Sequence, residues 1–173
     1  MIIRTDRLAL VPTGVRFLHS TYEYTSDIEN TRLMSHLPNA SIEECADYLN
    51  KADLEWAKPV PEYYEFAILL DGRHIGGVNL FPDEADRTRA ELGWILHKAF
   101  WGQGIVTEAA RALMDFAVRE LGVTHFTAHC DSENIGSYRV MEKLGMVRTG
   151  FWRGRKNRAS DEDRGEFQYD LEV

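Results

Sequence analysis

Between Glu91 and Leu121 the apolar residues change their spacing across a turn that carries two glycines, Gly102 and Gly104. Before the turn Leu92, Trp94 and Leu96 alternate with Glu91, Gly93 and Ile95, as the two faces of an extended strand do. After it Val106, Ala109, Ala110, Leu113, Met114, Ala117 and Leu121 fall at the intervals of one helix face. The turn itself, Trp101-Gly102-Gln103-Gly104-Ile105-Val106-Thr107, therefore opens an amphipathic helix. A helix start exposes unpaired N–H groups and the positive end of the helix dipole, so a glycine turn there can cradle phosphates with its backbone. It can equally be a tight connection that binds nothing.

The flanking segments extend this pattern. Residues 2–11 read as a first strand ending at Pro12, and residues 15–34 as one or two short helices of mixed pattern. Ser41 and Glu44 form a capping-box signature for a helix that runs to about Lys58, where Pro59 and Pro61 forbid continuation. A hairpin follows, with strands over 65–70 and 73–81 around Asp71-Gly72, and with Gly76-Gly77 as a candidate bulge. After the central helix come a strand over 123–130, a polar cluster at 131–134 and a helix over 135–144 stopped by Gly145. The chain ends in a strand from Met146 to about Arg155, a charged loop over 156–163 and a strand over 166–173. The prediction is a single α/β domain over residues 1–173, with a mixed sheet of about seven strands and helices on both faces.

Composition narrows the function. The formal net charge of −8 on 173 residues argues against nucleic acid, whose phosphates need a basic face. It is compatible with an anionic ligand held by backbone amides and a few local cations, for which Lys98 and Arg111, on either side of the turn, are candidates. No apolar run approaches the roughly 20 residues that span a bilayer, and Arg4, Asp6 and Arg7 interrupt the N-terminus, so a cytoplasmic protein without a membrane partner is expected. The two cysteines, Cys45 and Cys130, stand far apart without metal-ligand spacing, so neither a metal nor a disulfide is expected.

The segment around Gly104 resembles motif A of the GNAT acetyltransferase superfamily, and its wording Trp-Gly-Gln-Gly-Ile-Val-Thr-Glu-Ala is similar to the RimJ/RimL branch. Trp101 stands where that motif has Arg or Gln and Val106 where it has Gly or Ala; neither change removes a backbone donor. About 30 residues on, Asn134-Ile-Gly-Ser-Tyr-Arg-Val-Met-Glu-Lys-Leu-Gly145 resembles motif B. The resemblance implies a GNAT-like fold, mostly antiparallel, splayed between the fourth and fifth strands. It implies acetyl-CoA as co-substrate, with the diphosphate on Gly102, Gln103, Gly104, Ile105, Val106 and Thr107. The pantetheine arm would lie along the backbone of Ile95, Leu96 and His97 and against Asn134.

Ser137 takes the place where RimL-like enzymes are thought to assist the departing thiolate, while Met141 replaces the tyrosine many members use; Tyr138 is the alternative to Ser137. The amine must lose a proton before it attacks, and Glu91 is the candidate base, with His129 and Glu166 as alternatives. The acceptor implied is a protein N-terminal amine, a small amine such as an aminoglycoside or polyamine being the alternative; a module that binds CoA without turnover is the other class. Homodimerisation is a family-level expectation.

Overall fold

The computed structural model describes all 173 residues. Eight strands form one sheet in the order β1-β2-β3-β4-β5-β6-β8-β7, built from β1 (Ile3–Arg4), β2 (Leu8–Pro12), β3 (Tyr64–Leu70), β4 (Arg73–Pro82), β5 (Arg89–Leu96), β6 (His125–Asp131), β7 (Val147–Asn157) and β8 (Ser160–Glu172). Every pairing is antiparallel except β5 with β6. The helices are α1 (Leu18–Thr25), α2 (Ile28–Thr31), α3 (Ile42–Trp56), α4 (Ile105–Phe116) and α5 (Ile135–Lys143).

Alternation along the strands sends apolar side chains to both faces. Phe66, Ile68, Val78, Leu80, Leu92 and Phe126 meet Ile105, Ala109 and Leu113 of α4 in the larger core. On the other face Tyr24, Cys45, Leu49 and Ala52 of α1 and α3 are buried over Ala67. Both cysteines are free and buried.

The strand count exceeds the expected seven because residues 2–11 do not run as one strand. Thr5 turns the chain: its N–H donates to the Leu8 carbonyl at 3.0 Å and its hydroxyl accepts the Leu8 N–H at 2.9 Å, so Ile3–Arg4 folds back on Leu8–Pro12. The 156–163 loop is also corrected, since β7 and β8 continue through it to a two-residue turn. Alternating charges there are compatible with strands that keep one side wet, and Arg155, Arg164, Glu166 and Asp131 pair across them.

The bulge lies one residue before the glycine pair. Ile68 faces Gly76 and Leu69 faces His74, leaving Ile75 as the extra residue of β4. Gly76 is required for a different reason: a Cβ there would collide with the Ile95 carbonyl of β5. The hairpin turn is as read, with Asp71 at φ 50° and Gly72 at φ 78°, both positive as a two-residue primed turn demands. In the capping box Ser41 accepts the Glu44 N–H at 3.2 Å, but Glu44 accepts from Ala40, not from Ser41. The central helix passes from α4 into a π-helical turn over Ala117–Leu121 and stops at Gly122, φ 71°.

Candidate active site

β5 and β6 pair in parallel from Arg89 opposite His125 to Leu92 opposite Ala128, and no further. Gly93–Leu96 and His129–Asp131 diverge beyond that point, giving a fork between the two strands read as the fourth and fifth. Its backbone donors follow from the ladder with β4. The His97 N–H donates to the Ile75 carbonyl at 2.8 Å, which fixes the alternation along β5. The groups of Glu91, Gly93 and Ile95 turn to β4, while those of Trp94 and Leu96 turn to the fork.

This changes the expected pantetheine contacts. Ile95 is bonded to Gly77 across the ladder, and His97 spends its N–H on Ile75 and its carbonyl on the Phe100 N–H at 2.9 Å. The Leu96 carbonyl accepts the Trp101 indole N–H at 2.9 Å and the Asn30 amide at 3.2 Å, leaving its N–H. The Trp94 backbone and the Leu96 N–H are the groups available to an extended ligand.

At the foot of the fork Gly102 and Gly104 adopt left-handed backbone, φ 75° and 74°, where an L side chain is strained. Gly104 is the N-cap of α4. None of the backbone N–H groups from Gly102 to Thr107 has an acceptor within the chain, the first helical bond being Glu108 N–H to the Gly104 carbonyl at 3.1 Å. Ile105 and Val106 are buried in the main core, so their side chains do not fill the loop mouth. Gln103 reaches back to the Ala99 carbonyl at 3.4 Å.

The cation at this loop is Arg7, which sequence reading missed. Its guanidinium donates to the Gln103 carbonyl at 3.1 Å and to Glu108 in the first turn of α4 at 2.7 Å, and a Cβ on Gly104 would sit 3.8 Å from its Nη2. Burial alone would raise the Glu108 carboxyl, but hydrogen bonds from Thr5 and Arg7 hold it below the ordinary range. The two cations read from the sequence are occupied elsewhere. Lys98 lies 2.8 Å from Asp27 and 2.6 Å from Glu29, and Arg111 donates to the Lys143 carbonyl of α5 at 2.7 Å. Arg7 follows the Thr-Asp of the N-terminal segment, where nothing local marks it; its pairing with Glu108 spans the sequence.

Across the fork, Asn134 caps α5 by accepting the Ser137 N–H at 3.1 Å, which leaves its amide nitrogen free. The Ser137 hydroxyl accepts the Trp94 indole N–H at 3.2 Å, bridging β5 and α5. Its oxygen receives that bond, so its own proton remains available for donation. Burial pushes the Cys130 thiol up to about 12, so it is no nucleophile. Tyr138 packs edge-on to Phe167, ring centroids 6.0 Å apart, and Met141 is fully buried in the core.

On the opposite face of the sheet Glu91 and His129, read as alternatives, meet: Oε1 to Nδ1 is 3.0 Å. His129 Nε2 lies 3.2 Å from Gln168 Oε1, whose orientation is set by Gln168 Nε2 donating to Asp170 at 2.7 Å. Both ring partners are acceptors, so the site favours the doubly protonated ring, and the Glu91 hydrogen bond raises the imidazole above its ordinary value. Glu166 is ion-paired with Arg155.

A fork between parallel strands, free amides at a glycine-capped helix and a hydrogen-bonded carboxylate–imidazole pair on the other face are parts that acyl transfer from a thioester can use. Residues 7–147 match the family model described as an acetyltransferase (GNAT) domain, and the chain belongs to that family of acetyl-CoA-dependent N-acetyltransferases. A relative from Bacillus subtilis, an uncharacterized N-acetyltransferase named YnaD, is 31% identical over 155 residues, 88% of this chain and 86% of its own. The crystal structure of a GNAT-family acetyltransferase from Bacillus anthracis superposes with a TM-score of 0.83 at 24% identity, over 99% of this chain and 98% of that one. RimL, a ribosomal alpha-N-protein acetyltransferase solved in complex with coenzyme A, superposes with a TM-score of 0.86 at 18% identity, over 100% of this chain and 98% of its own. No cluster of His, Cys, Asp and Glu could hold a metal ion, and no helix is long and apolar enough to cross a membrane.

Proposed function

We propose that this chain acetylates a primary amine, the N-terminal α-amine of a protein in the first instance, with acetyl-CoA bound along the fork. The row of partnerless amides from Gly102 to Thr107 carries this reading: six N–H groups without an acceptor in the chain stand at the positive end of the α4 dipole, with Arg7 beside them. The diphosphate would rest there, and the pantetheine arm would meet the Trp94 backbone, the Leu96 N–H and the free amide of Asn134. The acceptor approaches from the Glu91–His129 face, gives its proton to that pair and attacks the thioester carbonyl. A fork-facing backbone N–H steadies the oxyanion. As the tetrahedral intermediate collapses, the C–S bond breaks and Ser137, polarised by Trp94, donates a hydrogen bond to the leaving thiolate.

Acetyl-CoA at a hundred times its dissociation constant should stabilise the fold by about 2.7 kcal/mol, a Tm rise of roughly 5–10 °C. Gly104→Asp should lose that shift while remaining folded. Aspartate tolerates left-handed backbone and caps helices well, and there is room for its Cβ, but its carboxylate repels a diphosphate. Arg7→Ala should weaken acetyl-CoA about tenfold, the loss of one charge-assisted contact; unchanged affinity would make Arg7 a brace for the loop alone. Ser137→Ala should lower kcat by roughly ten- to a hundredfold with acetyl-CoA affinity intact, the worth of one hydrogen bond to a charged group. Thiol release over pooled N-terminal peptides and small amines tests the reaction itself; its absence with every amine would leave a module that binds without turnover.

A further inference from the structure

Glu65 is a buried carboxyl that the mechanism above does not use. It sits in the interior strand β3, 5% exposed, without an ion pair, and its Oε2 has no hydrogen-bond partner. Buried carboxyls are ordinarily paired, and Glu65 has only the Tyr48 hydroxyl, so its partnerless oxygen marks a candidate site. Burial raises it to about 7, the Tyr48 hydroxyl working in the opposite direction. Its charge also bears on the hydroxyls of Tyr24 and Tyr63, so three phenol rings stand near it.

Directly opposite Glu65 on β4 is Asn79, and opposite Asn79 on β5 is Gly93. The three share the Glu91 face of the sheet. Asn79 Oδ1 is buried and partnerless as well, and it lies over Gly93, where a Cβ would strike it. Gly93 is the first residue of β5 beyond its last pair with β6, so this oxygen stands at the root of the fork. Two strand spacings separate Glu65 from Gly93, about 10 Å. Two partnerless oxygens on the Glu91 face, Glu65 Oε2 and Asn79 Oδ1, the first on a carboxyl near aromatic rings, match a ligand rich in N–H donors and positive charge.

We propose that Glu65 and Asn79 form a cation subsite, which selects acceptor amines carrying a second positive charge about 10 Å from the nitrogen that is acetylated. This rests on the fork being the acyl-transfer centre. A free polyamine and a peptide with a basic residue next to its N-terminus both present that chemistry.

The protein saturated with coenzyme A is titrated calorimetrically at pH 7 with spermidine, butylamine and the tripeptides Ser-Lys-Ala and Ser-Ala-Ala. Spermidine should bind at least tenfold tighter than butylamine, or Ser-Lys-Ala at least tenfold tighter than Ser-Ala-Ala; the pair that shows the larger ratio identifies the source. In wild type the favoured ligand should also release protons, seen as a heat that depends on the buffer, because Glu65 must ionise to receive it. Glu65→Gln should reduce the ratio to within twofold, with the affinity for coenzyme A unchanged. Equal binding within both pairs, a preference that survives Glu65→Gln, or binding without proton release overturns the subsite. Should thiol release occur without discrimination, the transferase stands and the subsite falls; discrimination in binding with no thiol release does the reverse.

Discussion

Asp131→Ala should lower stability by about 3–5 kcal/mol and Tm by roughly 6–20 °C in a thermal melt. Asp131 is the last residue of β6, its side chain fully buried. One oxygen accepts Arg164 Nε at 2.6 Å and Asn157 Nδ2 at 2.8 Å, the other the Glu133 N–H at 2.9 Å, and Arg155 lies 4.0 Å away. Burial would raise this carboxyl, but Arg164, the Glu133 N–H and Asn157 together keep it below the usual carboxylate range. Alanine would take the buried anion from Arg164, 10% exposed and left with only the exposed Glu133 and Glu162, while Arg155 keeps Glu166.

The damage should reach the site. Asn157 also holds the Arg32 carbonyl at 3.3 Å and Arg155 the Leu33 carbonyl at 3.5 Å, so this knot ties the β7–β8 hairpin to the segment after α2. Asn134, the cap of α5, donates its N–H to the Asp131 carbonyl at 2.9 Å. Replacing Asp131 and Arg164 together by apolar residues should cost less than Asp131→Ala alone, since no charge is then stranded. A single variant that melts with wild type would show that the knot contributes nothing. Because the folded carboxyl is depressed, its contribution is present above the unfolded value near 4 and is lost as pH falls through the folded value.

Local signals carried the second half of the chain. The change of period at Gly102–Gly104, the cap at Asn134 and the stop at Gly145 all lie within a few residues of what they control, whereas the fork is implied only by the family resemblance of these segments. Three features depended on partners far apart in the chain. Arg7 reads as one charge in a polar N-terminus until Glu108 is seen beside it. Trp94 reads as a core residue of its strand, and it packs half-buried against the core, yet its indole N–H reaches Ser137. Glu91 and His129 had each been read as a candidate base, but only strand pairing shows them as one unit. The alternation of β5 was read correctly for side chains, while the direction of its backbone groups depends on the pairing with β4. That dependence is why Trp94 joins Leu96 as a fork-facing residue while the backbone groups of Ile95 and His97 are taken up within the chain.

His129→Ala should lower kcat/KM by about a hundred- to ten-thousandfold, the span of general base catalysis, with acetyl-CoA affinity within about twofold of wild type. The imidazole must be neutral to take the amine proton, and its setting between Glu91 and Gln168 Oε1 favours the charged form. The group is therefore a stronger base than free histidine but is mostly protonated at the lower end of its range. In wild type kcat/KM should rise with pH through an inflection above 6.5 and then level, until other groups titrate. Glu91→Gln removes the largest cause of the raised value, so its inflection should move down while its plateau falls with the weaker base. Cysteine and lysine near the fork would give inflections that Glu91→Gln leaves in place. An unmoved inflection in Glu91→Gln, or wild-type turnover in His129→Ala, would take proton transfer away from this pair and leave the amine to lose its proton to solvent.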